Sequence, residues 1–361
     1  MKQKALFAIL SVIAASTPAW NQAAAQPAQG AAFPPCIPPP PGPPAATPPA
    51  TQAPPAAAPA PRNLTITAIP GVVAAGGSWK KIWQKGGNSA DGALADKDGS
   101  VLVAAEDYDA VLRIKPDGTE SVAVSDAKGI GSITMDRQGR LYGLHRTERP
   151  GSTKPDRDKI VNAVTQLTPV RRMITDKWSD GSTLSLRIND LTPDGQGGAY
   201  VTGACLYHAG PKGMMVLAES LRTNGIALSP DDKTLYVTNG GVVVAFDVAR
   251  PGELANRRDF AKLEAGGSGD GMTVDTAGRL YVTSGPGVQV FDKGGKYLGL
   301  IPTPRSLISL TFAGPGKKTL YVVGSGADDA NGQPIRQGPQ QTAATIYALP
   351  VLAQGLKDRA K

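Results

Sequence analysis

The 361-residue chain holds two cysteines, two histidines and only 5% aromatic residues. Each scarcity removes a class of chemistry. Cys36 and Cys205 form no Cys-x-x-Cys, which excludes structural zinc and thioredoxin-like redox sites. His145 and His208 cannot make a three-histidine metal centre, and a lone histidine at either place reads as a surface or wall residue. No Gly-x-Ser-x-Gly elbow marks a serine hydrolase. No glycine-rich phosphate loop is present, because the glycines sit in hairpin turns. Basic residues pair only at Lys80–Lys81, Arg171–Arg172, Arg257–Arg258 and Lys317–Lys318. A nucleic-acid partner would require a continuous basic track with interleaved aromatics, so none is expected.

The apolar run Ala5–Ala15 is too short to span a bilayer well. It follows Lys2 and Lys4 and precedes the small-residue step Ala23–Ala25, so residues 1–25 read as a secretory signal peptide. Residues 26–65 are rich in Ala and Pro and read as a disordered, polyproline-like spacer that cannot form a core. The mature protein is then expected in the periplasm or secreted, without a transmembrane segment, with envelope association through the spacer left open. Losing Lys2 and Lys4 lowers the formal charge of +8 by two, a mild surface charge. An oxidising compartment permits a Cys36–Cys205 disulfide. Such a bond ties a loose stalk to the fold with no evident use, and Cys205 reads rather as a buried thiol.

Across 66–361 a short unit recurs: 90–104, 131–144, 189–202, 224–238, 270–283 and, more weakly, 308–323. Each is a strand, a turn bearing Gly or Asp, and a second strand. One hairpin cannot bury its apolar face alone, so neighbours must stack. Six units predict an all-β, six-bladed β-propeller, its ring closed by a strand near 77–84 pairing with the last blade. Residues 146–183 read as an insertion between units, placed to cover a pocket mouth or to form a surface loop.

Asp91, Asn189, Asn224 and Asp270 each open a unit. One such residue before glycine is ordinarily a turn. Four at one repeat position converge near the ring axis, where oxygen ligands suit a hard cation.

With “RIND” (187–190), “RTNGIALSPDDKTLYVTN” (222–239) and “DGMTVDTAGRLYV” (270–282), the chain resembles the SMP-30/gluconolactonase/luciferin-regenerating group over roughly 80–355. The resemblance implies a divalent metal, most suitably Ca²⁺ with Zn²⁺, Mg²⁺ or Mn²⁺ as alternatives, held by Asp91, Asn224 and Asp270. It implies Asp270, or a water it orients, as catalytic base, and Arg187 and Asn189 as substrate-binding residues. The implied reaction is hydrolysis of a small-molecule lactone, such as an aldonolactone. A related hydrolase acting on non-sugar lactones or esters, and a non-catalytic binding propeller, are the rivals.

Three departures from the family pattern stand out. Asp91 replaces a glutamate. The usual Asn-Gly of the second blade reads Gly131-Ser132. Tyr207 and His208 stand where some relatives carry an acidic residue, which makes them further candidates for gripping substrate.

Overall fold

The computed structural model describes residues 36–37, 62, 64–147, 154 and 160–359. The leader, nearly all of the spacer and parts of 146–183 lie outside the described residues. Among the described residues, six four-stranded antiparallel sheets make a six-bladed β-propeller with essentially no helix.

Blade 1 comprises β2 (Asp91–Ala95), β3 (Val101–Ala105), β4 (Ala110–Ile114) and β5 (Glu120–Val124). Blade 2 comprises β6 (Ile130–Met135), β7 (Leu141–His145), β8 (Ala163–Thr168) and β9 (Arg172–Thr175). In blade 3 they are β10 (Leu191–Pro193), β11 (Ala199–Thr202), β12 (Leu206–Gly210) and β13 (Gly213–Ala218). Blade 4 runs from β14 (Ile226–Leu228) and β15 (Thr234–Asn239) to β16 (Val242–Arg250) and β17 (Glu253–Lys262). Blade 5 holds β18 (Met272–Val274), β19 (Leu280–Thr283), β20 (Gly287–Phe291) and β21 (Tyr297–Pro302). Blade 6 is β22 (Leu307–Ala313), β23 (Thr319–Ser325), β24 (Ala343–Pro350) and, from the other end of the chain, β1 (Lys80–Gly86).

The β1–β24 pairing, from Lys80↔Ala348 to Gly86↔Ala343, closes the ring and leaves blade 6 complete. Closure by the N-terminal strand follows the sequence expectation and removes two open sheet edges. Each sequence repeat is the inner hairpin of one blade. The stretch read as an insertion is corrected: 163–175 supplies β8 and β9, the outer half of blade 2.

The inner hairpins owe their turns to a carboxylate. In “DRQGRLY” (136–142), Asp136 accepts the backbone N–H of Arg140 at 2.9 Å, the Arg140 Nε–H at 2.5 Å and the Tyr142 hydroxyl at 3.1 Å. In “DTAGRLY” (275–281), Asp275 does the same for Arg279 and Tyr281, at 2.9, 2.6 and 2.8 Å. Burial and the neighbouring carboxylate push the Tyr142 phenol up to about 12. The turn signal is therefore also an anchor for the second strand, since a buried phenol requires a partner.

The core lies between blades. Tyr281 of blade 5 meets Phe312 of blade 6 edge-on, with ring centroids 5.0 Å apart. Glycine after the unit-opening residue sets the spacing of the innermost strands. A β-carbon on Gly225 would sit 1.9 Å from the Asp270 carbonyl oxygen, and one on Gly271 would sit 2.9 Å from that of Ile308. The Asn-Gly and Asp-Gly steps thus serve blade-to-blade approach as well as placing a polar side chain.

Candidate functional site

Inner strands start, and second strands end, at the same mouth of the ring. Three unit-opening residues are held there by one recurring backbone pattern. The Asn189 amide donates to Thr202 O at 2.8 Å, and Thr202 N returns to Asp190 O at 2.9 Å. The Asp270 amide donates to Thr283 O at 3.0 Å, and Thr283 N returns to Gly271 O at 2.9 Å. In blade 4 the Asn224 amide donates to Thr238 Oγ1 at 2.9 Å, and Thr238 N returns to Gly225 O at 3.1 Å. Asp91 opens β2 at the matching place, opposite Ala104. All four side chains are half-buried, as is that of Arg187.

Two residues that sequence reasoning missed lie beneath them. Arg146, after β7, is 3% exposed; Glu106, after β3, is 1% exposed. Arg146 Nε and Nη2 both donate to Glu106 Oε2, at 2.8 and 2.6 Å. Arg146 Nη2 also reaches Asp91 Oδ2 at 3.3 Å, and Nη1 reaches Asn189 Oδ1 at 3.0 Å. The Asn189 amide group donates to Asn224 Oδ1. Arg187 Nη2 donates to the other Glu106 oxygen at 2.8 Å, and its Nη1 to Thr147 O. Asn88 Nδ2 adds a bond to Glu106 Oε2 at 2.7 Å. Lys154 Nζ donates to the Glu106 carbonyl at 2.5 Å and to Asp109 at 2.7 Å. One network therefore joins blades 1 to 4 across the axis.

Its electrostatics follow from burial and pairing. Burial opposes ionisation of Glu106, but Arg146 and then Arg187 outweigh it and hold the carboxyl below its ordinary range. Burial likewise opposes charge on Arg146, yet Glu106 and Asp91 keep its affinity for the proton above normal. For Asp91 burial wins over the attraction of Arg146 and raises the carboxyl.

Tyr207 and His208 bond to partners outside this network. The Tyr207 hydroxyl donates to Cys36 O at 2.9 Å, and its ring packs 5.6 Å from that of Trp178. His208 Nε2 lies 2.9 Å from Asp194 Oδ2, past the far end of β10 from Asn189. Five extended residue steps separate those two positions, about 16 Å. Cys205 is not a free thiol: it is bonded to Cys36, with Cα atoms 5.4 Å apart, which corrects the preferred sequence reading. The bond has a use after all, since it sets the Cys36 carbonyl against Tyr207.

The family model described as SMP-30/gluconolactonase/LRE-like matches residues 130–326, more than half of the chain. The chain belongs to this family. The matched stretch contains Arg146, Arg187, Asn189, Asn224 and Asp270. Among curated relatives, a lactonohydrolase of Aspergillus oryzae is 31% identical over 137 residues, 29% of this chain and 28% of that protein. A gluconolactonase of Zymomonas mobilis is 31% identical over 134 residues, 33% of this chain and 38% of that protein. These matches thus span about a third of the relatives' own length. In the solved gluconolactonase of Xanthomonas campestris the fold is shared at a TM-score of 0.60 and 23% identity, over 83% of this chain and 99% of that one. A regucalcin of Agrobacterium tumefaciens, described as a calcium-binding protein, aligns with a TM-score of 0.56 at 17% identity, over 75% of this chain and 93% of that one.

The metal that the SMP-30/gluconolactonase/LRE-like resemblance implies can be tested against these residues. The resemblance gives a hard cation the side-chain oxygens of Asp91, Asn224 and Asp270. Two of these three are already engaged: Asp91 accepts from Arg146, and Asn224 from Asn189. A guanidinium charge stands among them. Among the described residues, no group of three or more His, Cys, Asp or Glu side chains could hold a metal. In this arrangement the donor set does not fit a divalent ion.

Proposed function

We propose that the mouth of the ring hydrolyses a small lactone. The observation that supports it most is the convergence of Asn189, Asn224, Asp270 and Arg187 at one end of the axis, in a chain of this family. The curated relatives named above are lactone hydrolases, and an aldonolactone is the first substrate to try. Arg187 and Asn189 would hold the polar side of the ring, and Asp270 would act as general base toward water. The guanidinium charge in the site would stabilise the negative charge that grows on the carbonyl oxygen. No step in this reading requires the metal expected from the resemblance.

The test is turnover by purified full chain on a panel of aldonolactones, acyl-lactones and aryl esters, followed by acid release. Hydrolysis of aldonolactones supports the reading. Hydrolysis confined to acyl-lactones or aryl esters replaces the substrate class. No hydrolysis across the panel replaces the enzyme by a binding propeller.

Export is part of the same reading. Residues 1–25 read as a leader, and the Cys36–Cys205 bond suits an oxidising compartment. Recovery of intact residues 1–25 on cytoplasmic protein would overturn it.

A further inference from the structure

We propose that Arg146 is the permanent cation of the axial site, so that the site takes its ligand without a divalent metal. The inference goes beyond the lactone reading and does not depend on it.

The path of the side chain carries the argument. Arg146 leaves the end of β7 and crosses Gly131 on the neighbouring strand. A β-carbon at Gly131 would lie 2.1 Å from Arg146 Nε, 2.4 Å from Cδ and 2.5 Å from Cζ. Only glycine leaves the channel that the guanidinium fills. Gly131 stands where the resemblance leads one to expect asparagine. The missing polar side chain of blade 2 and the buried guanidinium are therefore one change: the first vacates the volume, the second occupies it.

The anchoring is equally specific. Glu106 is buried and opens no repeat unit, yet it receives two bonds from Arg146 and one from Arg187. A planar guanidinium matches this fork, and its charge is not lost by deprotonation. Asp91, one of the oxygens a cation would need, and its neighbour Asn189 face the outer edge of the same group. The shorter aspartate fits this role, because its partner reaches inward to meet it. A divalent ion beside Arg146 would meet like charge at contact distance, with Glu106 already committed. A purely structural ion pair would be indifferent to metal, whereas displacement of a metal makes a prediction about binding.

The experiment uses full-length protein treated with a chelator and dialysed. Metal content is read by elemental analysis, and the thermal midpoint with Ca²⁺, Mg²⁺ or Mn²⁺ at millimolar concentration. Wild type is expected to retain far less than one equivalent and to show no shift in midpoint. The double variant Arg146→Met/Glu106→Gln removes the guanidinium without stranding a buried carboxylate. It is expected to take up one equivalent of Ca²⁺, with the midpoint rising by roughly 5 °C near a hundredfold excess over Kd. One equivalent held by wild type, or a metal-dependent rise in its midpoint, would overturn the proposal. So would a folded double variant that ignores all three ions, since Arg146 would then not be what excludes them. Because the readout is stoichiometry and stability, failure of the lactone assay leaves it unaffected.

Discussion

Arg146 and Glu106 come from different blades and meet through two N–H donors on one carboxylate oxygen, at 2.8 and 2.6 Å. Neither opens a repeat unit, since each follows the second strand of its blade, yet both bond to the residues of the mouth: Glu106 to Arg187, and Arg146 to Asp91 and Asn189.

Removing one partner of this buried pair should be severe. Glu106→Ala leaves Arg146 charged, buried and short of its main acceptor, at an expected loss of about 3–5 kcal/mol. Urea unfolding monitored by tryptophan fluorescence measures it. A loss below about 1 kcal/mol, the range of exposed pairs, would contradict the burial argument.

Arg187 is half-buried at the mouth, so its loss should fall on turnover. Arg187→Ala is expected to lower kcat/KM by roughly ten- to a thousand-fold, with the fold kept. Arg187→Lys should restore only part, because an ammonium cannot bridge Glu106 and Thr147 as a fork does. Full rescue by lysine would reduce Arg187 to a point charge.

Glycine at 225 is required by approach between blades 4 and 5. Gly225→Ala should destabilise by about 1–3 kcal/mol or more, since the neighbour it meets is backbone and cannot rotate away. Thermal unfolding reads the loss, and an unchanged midpoint would mean that the inner ring yields readily.

Asp194 gives the pH prediction. Burial opposes its charge, but the bond to His208 and the amides of Gln196 and Gly198, at 2.7 and 2.9 Å, hold its carboxyl below the ordinary range. Tyr200 packs on His208, and Arg140 also faces this carboxylate. The folded state therefore binds this proton less readily than the unfolded chain. Its stabilisation is complete above the unfolded value, about 3.9, and is lost as pH falls through the lower folded value. Asp194→Asn should flatten stability against pH below about pH 4 and lower it at neutral pH. Identical acid slopes for both proteins would exclude Asp194 as a contributor.

The inner hairpins were legible because turn chemistry and alternation repeat in every blade, as “DRQGRLY” and “DTAGRLY” illustrate. β8 and β9 were not: β9 has four residues with Arg172 and Met173 exposed, and β8, though buried, lies outside the repeated inner hairpin, so both read as an insertion. The stations Asn189, Asn224 and Asp270 could be placed together because propeller symmetry maps one sequence position onto one radius. Arg146 and Glu106 escaped that logic, since each acts once and reaches across blades. The sole sequence hint was the bare Gly131. Its meaning depends on knowing which side chain enters the space. Tyr207 and His208 illustrate the converse: adjacent in sequence, they alternate across β12, Tyr207 bonding to the Cys36 carbonyl and His208 to Asp194.

The Cys36–Cys205 bond also changes what cutting the chain can do. A protease that cleaves one peptide bond anywhere from 37 to 204 separates two lengths of polypeptide that remain joined through sulfur. Nicked protein should run as one species on a gel without reductant and as two with it. The stretch from 36 to 65 is in this sense a tether secured at both ends: one to blade 3 by the disulfide, the other continuous with the strand that closes blade 6. Severing it detaches nothing from the ring until the bond is reduced.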